Sequence, residues 1–471
     1  MSSTDPEATT RTPAVLGEST TGDVVPFGQA VRTWFAISLQ TFGGPAGQIA
    51  VMQRHLVDQR RWIGQRRFLH ALNYCMLLPG PEAQQLAIYV GWLLNGVRGG
   101  LVAGTLFVLP GAVTLLALSA VYAGYGDTRV VTALFAGLAP AVLAIVAQAV
   151  WRVGSRSLTN PFLVALAVVA FVSLAAFAVP FPVVVAAAGL AGLIMRRWRP
   201  GVVSTTTGHG PDADGTPPLI PDDALHHDRP SARRAVTILV VGLSAWFLPL
   251  LAVAALTGGE SVLTQQGLFF SGTAVVTFGG AYAVLAFVAQ RAVEHYAWLS
   301  AGDMVRGLAL AETTPGPLIM VVQFVAFLGA YHHPGGLDPW VAGVLASLLT
   351  TWVTFVPCFL FVLLGAPYVE RLRGNRSLSA ALTGITAAVV GVIANLGLYF
   401  AVHTLFAGSH QVDAGPLNLA LPDPRTVQLV PLAVAVLAAV LVFTLRWPVL
   451  RVLGTCAAAG LAAELARAAL A

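Results

Sequence analysis

Thr41-Phe42-Gly43-Gly44-Pro45 returns as Thr277-Phe278-Gly279-Gly280-Ala281, and Pro79-Gly80-Pro81 returns as Pro315-Gly316-Pro317, both at an offset of 236 residues. The same offset carries Trp62 onto Trp298. One insertion of 11 residues, around Tyr331 to Trp340, then brings Pro110 onto Pro357, Gly137 onto Gly384 and Gln148 onto Asn395. An apolar chain can match one tripeptide by accident. Three separated motifs on one ungapped offset point to an internal duplication.

The sequence around these motifs is that of a polytopic membrane protein. Of 471 residues, 56% are apolar and 10% charged, and the mean hydropathy is +0.77. Soluble domains hold roughly 25% charged residues. This balance excludes a soluble enzyme, a nucleic-acid binder and a secreted disulfide scaffold. The three cysteines, Cys75, Cys358 and Cys456, sit in apolar stretches without metal-ligand spacing. No charged-then-apolar leader precedes Asp23, so no cleaved signal peptide is expected. All 26 basic residues are arginine, and the net charge of +5 reports arginine placed for topology.

Thirteen apolar segments follow a polar tail. They run 28–52, 68–95, 100–124, 130–152, 161–178, 180–195, 236–257, 266–290, 304–330, 339–366, 378–404, 427–446 and 449–466. The expected fold is all-α, with two repeats of about six helical segments each and one connecting helix. Its parts are a cytoplasmic tail (1–26), a first repeat (27–195), a flexible cytoplasmic loop (196–234), a connecting transmembrane helix (235–262) and a second repeat (263–471). An odd link between two halves that each cross an even number of times inverts the second half.

Arginine placement fixes the expected orientation. With the N-terminus inside and the motif-bearing segments dipping in and returning, 21 arginines fall inside and 5 outside. If those segments span fully, five arginines of loop 53–67 leave the inside and Arg291 and Arg306 join it, giving 18 and 8. The positive-inside rule favours dipping, with the C-terminus periplasmic.

Gly-Gly-Pro and Pro-Gly-Pro cannot sit in uninterrupted helix, because proline removes a donor and clashes with the preceding turn. Each should divide its segment into two half-helices, a break tolerated at membrane depth only where protein or a watery cavity receives it. Pro45 and Pro81 suit the first turn of the second half-helix. Four such helices, starting near Pro45, Pro81, Ala281 and Pro317, would each present roughly half a positive charge, a dipolar site for a small dianion. The expected contacts are Thr41, Gly43, Gly44, Pro45, Gln48, Pro79, Gly80, Pro81, Gln84, Thr277, Gly279, Gly280, Thr314, Pro315, Gly316 and Pro317. Asn73, Gln85, Thr273, Thr313 and Gln323 stand nearby, and their hydroxyl and amide donors could complete an oxyanion's shell.

Glu82 and Glu312 are the acids set well inside the repeats' apolar cores, and an intramembrane acid is a candidate for proton coupling. Glu82 in a first helical turn also complements the dipole, a role Glu312 lacks. The arginine-rich stretch from Arg54 to Arg67, with Leu56, Trp62 and Phe68 interleaved, reads as an interfacial segment. His226-His227-Asp228, beside Asp222 and Asp223, reads as a solvated loop rather than a metal site, and His332-His333 as a surface turn.

Phe42-Gly43-Gly44-Pro45, the arginine-rich stretch with Trp62, Leu78-Pro79-Gly80-Pro81-Glu82-Ala83-Gln84-Gln85-Leu86 and Phe107-Val108-Leu109-Pro110 together resemble the chromate ion transporter (CHR) family, long-chain two-domain ChrA type. The resemblance covers nearly the whole chain. It implies gradient-driven export of chromate across the bacterial inner membrane, conferring chromate resistance, by two halves of opposite orientation. Ala281 in place of Pro45 and Leu318 in place of Glu82 make the half-sites unequal. The first half is therefore expected to contact the anion and the second to couple through Glu312. A sulfate or other oxyanion carrier and a passive anion channel remain alternatives. No cofactor or metal is expected, nor an enzymatic activity. The expected partners are chromate or sulfate, protons and the lipid bilayer, not nucleic acid, with a homodimer as a candidate assembly.

Overall fold

The computed structural model describes residues 23–198, 218–220, 231–278, 281–368, 376–414 and 417–470. Nearly all of it is helix, as a chain in lipid requires, since helices satisfy every backbone polar group within the segment. Among the described residues, seven helices are long and apolar enough to cross a membrane.

The first motif divides its segment into α1 (Phe27–Ser38) and α2 (Gly44–Gln53). Gly43 and Gly44 take φ of +78° and +74°, and Pro45 lies in the first turn of α2. The second motif separates α3 (Gln65–Cys75) from α4 (Glu82–Tyr125), whose N-cap is Pro81. Asn95 and Gly96 leave helical geometry and fold α4 into limbs 82–94 and 97–125. A Cβ on Gly91 would lie 2.5 Å from the Gly99 carbonyl oxygen, so only glycine lets the limbs pack this closely. Asn95 Nδ2 ties the bend to Val25 O at 2.6 Å.

The second half repeats this plan. Helix α9 (Val262–Val276) breaks before α10 (Ala281–Gln290), and α11 (Ala301–Thr313) breaks before a short 3-10 turn and α12 (Val321–His332). Here the inserted residues replace the tight bend, and Asp338 caps α13 (Pro339–Gly365) by accepting from Trp340 N and Val341 N. The agreement reaches backbone detail. Trp62 N donates to Leu56 O and Trp298 N to Ala292 O, both at 2.8 Å, after a left-handed residue at Arg61 and Ala297. The same π-turn, left-handed residue and tryptophan occur a third time at Val440–Thr444, Arg446 and Trp447.

In each half, contacts bring the outer ends of the paired short helices near one another. In the first half, Val24 N bonds Leu94 O, and Arg234, at the start of α8 (Ala232–Thr257), stacks over Trp92. At the α2–α3 junction, Ile63 forms an isolated parallel bridge with Ile220. In the second half, Gln266 Nε2 donates to Ala326 O, and a Cβ on Gly329 would touch Trp298. The long limb of α4 ends there too, where Tyr122 Oη donates to Asp303 Oδ1 at 2.5 Å. The two sets of short helices therefore contact opposite ends of the 97–125 limb of α4.

The remaining helices are α5 (Arg129–Ser157), α6 (Pro161–Phe177), α7 (Phe181–Trp198), α14 (Arg376–Leu405), α15 (Leu429–Ala439) and α16 (Val449–Leu470). They dock in exchange: α6 and α7 lie against α14, α15 and α16 lie against α5, and α5 meets α14. A hairpin, β1 (Ser409–Ala414) with β2 (Leu417–Pro422), lies between α14 and α15, in a stretch outside the thirteen apolar segments. The largest buried cluster is drawn from both halves.

Candidate functional site

The four breaks meet in two pairs. Gly80 N donates to Thr277 O at 2.8 Å and Gly316 N to Thr41 O at 2.9 Å. These bonds are counterparts at the repeat offset, each joining a Pro-Gly-Pro turn of one half to the Thr-Phe-Gly-Gly turn of the other. Gly80 and Gly316 hold φ of +125° and +108°, a region close to glycine-only. Gln48, 1% exposed, adds a first-half contact by donating to Gly316 O at 2.6 Å. Position 284, its counterpart, is valine. Gly111 of α4 packs against Pro315 and Gly316, while Cys358 of α13 packs against Gly80.

Several expected donors turn out to be engaged. Thr41 Oγ1 bonds Ser38 O, Thr277 Oγ1 bonds Thr273 O, and Thr313 and Thr314 bond Leu310 O and Ala311 O. A hydroxyl has one proton, so these threonines finish their own helix ends. What remains free is amide. Gln84 is fully buried with neither amide atom bonded, and Gln85 gives Nε2 to Pro79 O at 2.7 Å but leaves Oε1 unpaired. Both follow Pro81 in the first turn of α4, while the corresponding second-half residues are Met320 and Val321. Asn73 is exposed, away from this group. Gly279, Gly280 and the His226-His227-Asp228 run lie outside the described residues.

The two acids differ. Glu312 is 2% exposed at the end of α11; its Oε1 accepts from Tyr282 Oη at 2.6 Å and its Oε2 has no partner. The Arg152 guanidinium of α5 acts electrostatically on both Glu312 and Tyr282. Glu82 sits half-buried in the first turn of α4, with no side-chain capping bond at Pro81. Tyr282 escaped the sequence reading because its counterpart is Ala46 and a lone tyrosine carries no pattern. A third cluster was also unread: Tyr122, Asp303 and Arg306, with Arg306 Nη1 donating to Tyr122 Oη at 2.7 Å. Among the described residues, no three His, Cys, Asp or Glu side chains gather as a metal site.

Backbone breaks and unpaired buried amide atoms thus lie together among apolar helices. The chromate transporter family profile matches residues 28–193 and again 264–461, the two halves just described. The chain belongs to the chromate transporter family. A chromate transport protein of Pseudomonas aeruginosa is 32% identical over 396 residues, covering 81% of this chain and 83% of that protein. One from Cupriavidus metallidurans is 28% identical over 396 residues, covering 83% and 86%. A probable chromate transport protein of Synechococcus elongatus is 26% identical over 375 residues, covering 78% and 82%. No solved structure matches the chain.

Proposed function

We propose that this family member exports chromate as a secondary active transporter of the bacterial inner membrane, coupled to the proton gradient, and so confers chromate resistance. The anion is held near the midplane where the half-helices α2, α4, α10 and α12 begin, each N-terminus supplying part of the countercharge. The observation that carries this reading is the crossed pair of bonds, Gly80 to Thr277 and Gly316 to Thr41, which joins the four breaks in two pairs, each across the halves. Gln84 completes the shell, and Glu312, hydrogen-bonded by Tyr282, exchanges the coupling proton. Residues 27–195 and 263–471 act as inverted repeats around the connecting helix, with the N-terminus cytoplasmic and the C-terminus periplasmic.

The test is uptake of labelled chromate into inverted vesicles under an imposed proton gradient. Sulfate serves as competitor and Gly80→Leu as the variant that disrupts the crossing. Gradient-dependent accumulation, lost in the variant and little affected by sulfate, is the expected result. Equal displacement by sulfate transfers the reading to a general oxyanion carrier. Flux that only equilibrates with the gradient makes the protein an anion channel.

A further inference from the structure

Eight threonines are buried in the described residues, and six give their hydroxyl to a backbone carbonyl: Thr33, Thr41, Thr264, Thr273, Thr277 and Thr314. A helical threonine in an apolar setting has that bond at hand, from Oγ1 to the carbonyl one turn back. Thr350 and Thr354 do otherwise. They are 0% and 3% exposed, and neither Oγ1 has any partner. An unpaired buried hydroxyl is costly, so two in succession on one helix need a ligand or water to meet them.

Both lie on the same face of α13. Ser347, Thr350, Thr354 and Cys358 follow at spacings of three, four and four, a stripe about 16 Å long at 1.5 Å per residue. Its ends are fixed by contacts. At one end, Ser347 Oγ donates to Gln323 O, and Gln323, which gives Nε2 to Ala112 O, leaves Oε1 unpaired in the first turn of α12. At the other, Cys358 Sγ packs with Gln85 Nε2 around Gly80 at the start of α4. The stripe therefore joins the N-terminus of a half-helix from one repeat to that of the other. The unpaired amide oxygens of Gln85 and Gln323 stand at the two ends, and Gln84, with both amide atoms unpaired, lies next to Gln85. At the repeat offset of α13, the first half has Gly100, Ala103, Phe107 and Gly111, so the helix pair packs without hydroxyls.

We propose that the Thr350–Thr354 face of α13 lines the path of the transported tetrahedral oxyanion, its hydroxyls donating to the anion as it passes between the Gln323 and Gln85 ends. This rests on the oxyanion-carrier reading above. The two hydroxyls replace part of the hydration shell where no charged side chain is needed, and they bind weakly enough for release.

The experiment is chromate uptake by inverted vesicles holding wild type, Thr350→Val/Thr354→Val, Thr350→Ser/Thr354→Ser or Thr33→Val. Thermal unfolding of each is measured in detergent. Valine keeps the volume and removes the hydroxyl. The double valine variant is expected to raise KM roughly tenfold or more, as for loss of hydrogen bonds to a charged group. Its unfolding temperature should stay level or rise, because two unpaired polar atoms have gone. The serine pair restores KM, and Thr33→Val transports as wild type does. Unchanged KM in the double valine variant overturns the proposal. So does a lowered unfolding temperature with proportionate loss of transport, which would make the hydroxyls structural. Wild-type vesicles that move no chromate defeat the carrier reading itself, and this one with it.

Discussion

Replacing Gly137 by alanine tests the exchanged docking of the two halves. Gly137 of α5 lies directly against α16; an added Cβ would stand 2.6 Å from the Cys456 carbonyl carbon and 2.9 Å from Ala457 Cα. Carbon atoms pack at about 3.5–4.0 Å, so α16 must retreat by roughly 1 Å. A gap of that size forfeits about a quarter to a half of each dispersion contact along the interface. Neither obstructing atom is a side-chain tip that could rotate aside. The expected cost is therefore at the upper end of overpacking, about 3 kcal/mol. The counterpart, Gly384→Ala, meets Ala188 and Gly192 of α7 and should cost a similar amount. Gly454→Ala, with nothing within 4 Å, is the control and should leave stability unchanged or slightly raised by helix propensity. Thermal unfolding in a mild detergent, followed by tryptophan fluorescence, reads all three. If Gly137→Ala and Gly384→Ala unfold with the control, α5 and α14 are not the seats of the opposite half's terminal helices.

Two buried glutamines should respond in opposite ways. Gln48→Leu orphans Gly316 O and is expected to destabilise by about 1–3 kcal/mol, whereas Gln84→Leu removes unpaired atoms, leaves stability equal or higher, and abolishes uptake. A destabilised Gln84→Leu, or one that transports normally, would refute the assignment of Gln84. Single cysteines at Gln59 and Ala297, in a background lacking the native three, should label from the cytoplasmic and periplasmic sides respectively; the reverse would mean spanning rather than dipping segments. The carboxyl of Asp23 is held below its ordinary value mainly by its hydrogen bond from Arg98 at 2.7 Å. A lowered folded-state value stabilises above the unfolded value of about 4 and loses that contribution as pH falls through the folded one. Protease cleavage near Asp23 should accordingly rise in acid for wild type and lose this dependence in Arg98→Ala.

The duplication was legible because proline and glycine mark breaks whatever the surrounding sequence, and the offset joining Thr41 to Thr277 and Gly80 to Gly316 reappears as crossed hydrogen bonds. The left-handed residues at Arg61, Ala297 and Arg446 left no such mark, since none is glycine. Only the tryptophan that follows each one hinted at the shared turn. The threonines were read by residue type as donors. Whether a hydroxyl is free depends on its rotamer, which set Thr350 and Thr354 apart from Thr41 and Thr277, while Gln84 and the amide oxygens of Gln85 and Gln323 were left unpaired. Glu312 stood out as a buried acid, but Tyr282 reaches it from another element that composition cannot bring alongside.

The exchange of terminal helices also bears on biosynthesis. Helices α6 and α7 leave the ribosome long before α14, the surface they settle on, has been made. At roughly 5–20 residues per second the wait is on the order of ten seconds or more. During it two apolar helices must rest in lipid or be held by the insertion machinery. A chain halted after the connecting helix would carry a complete first repeat in sequence and an unfinished one in space.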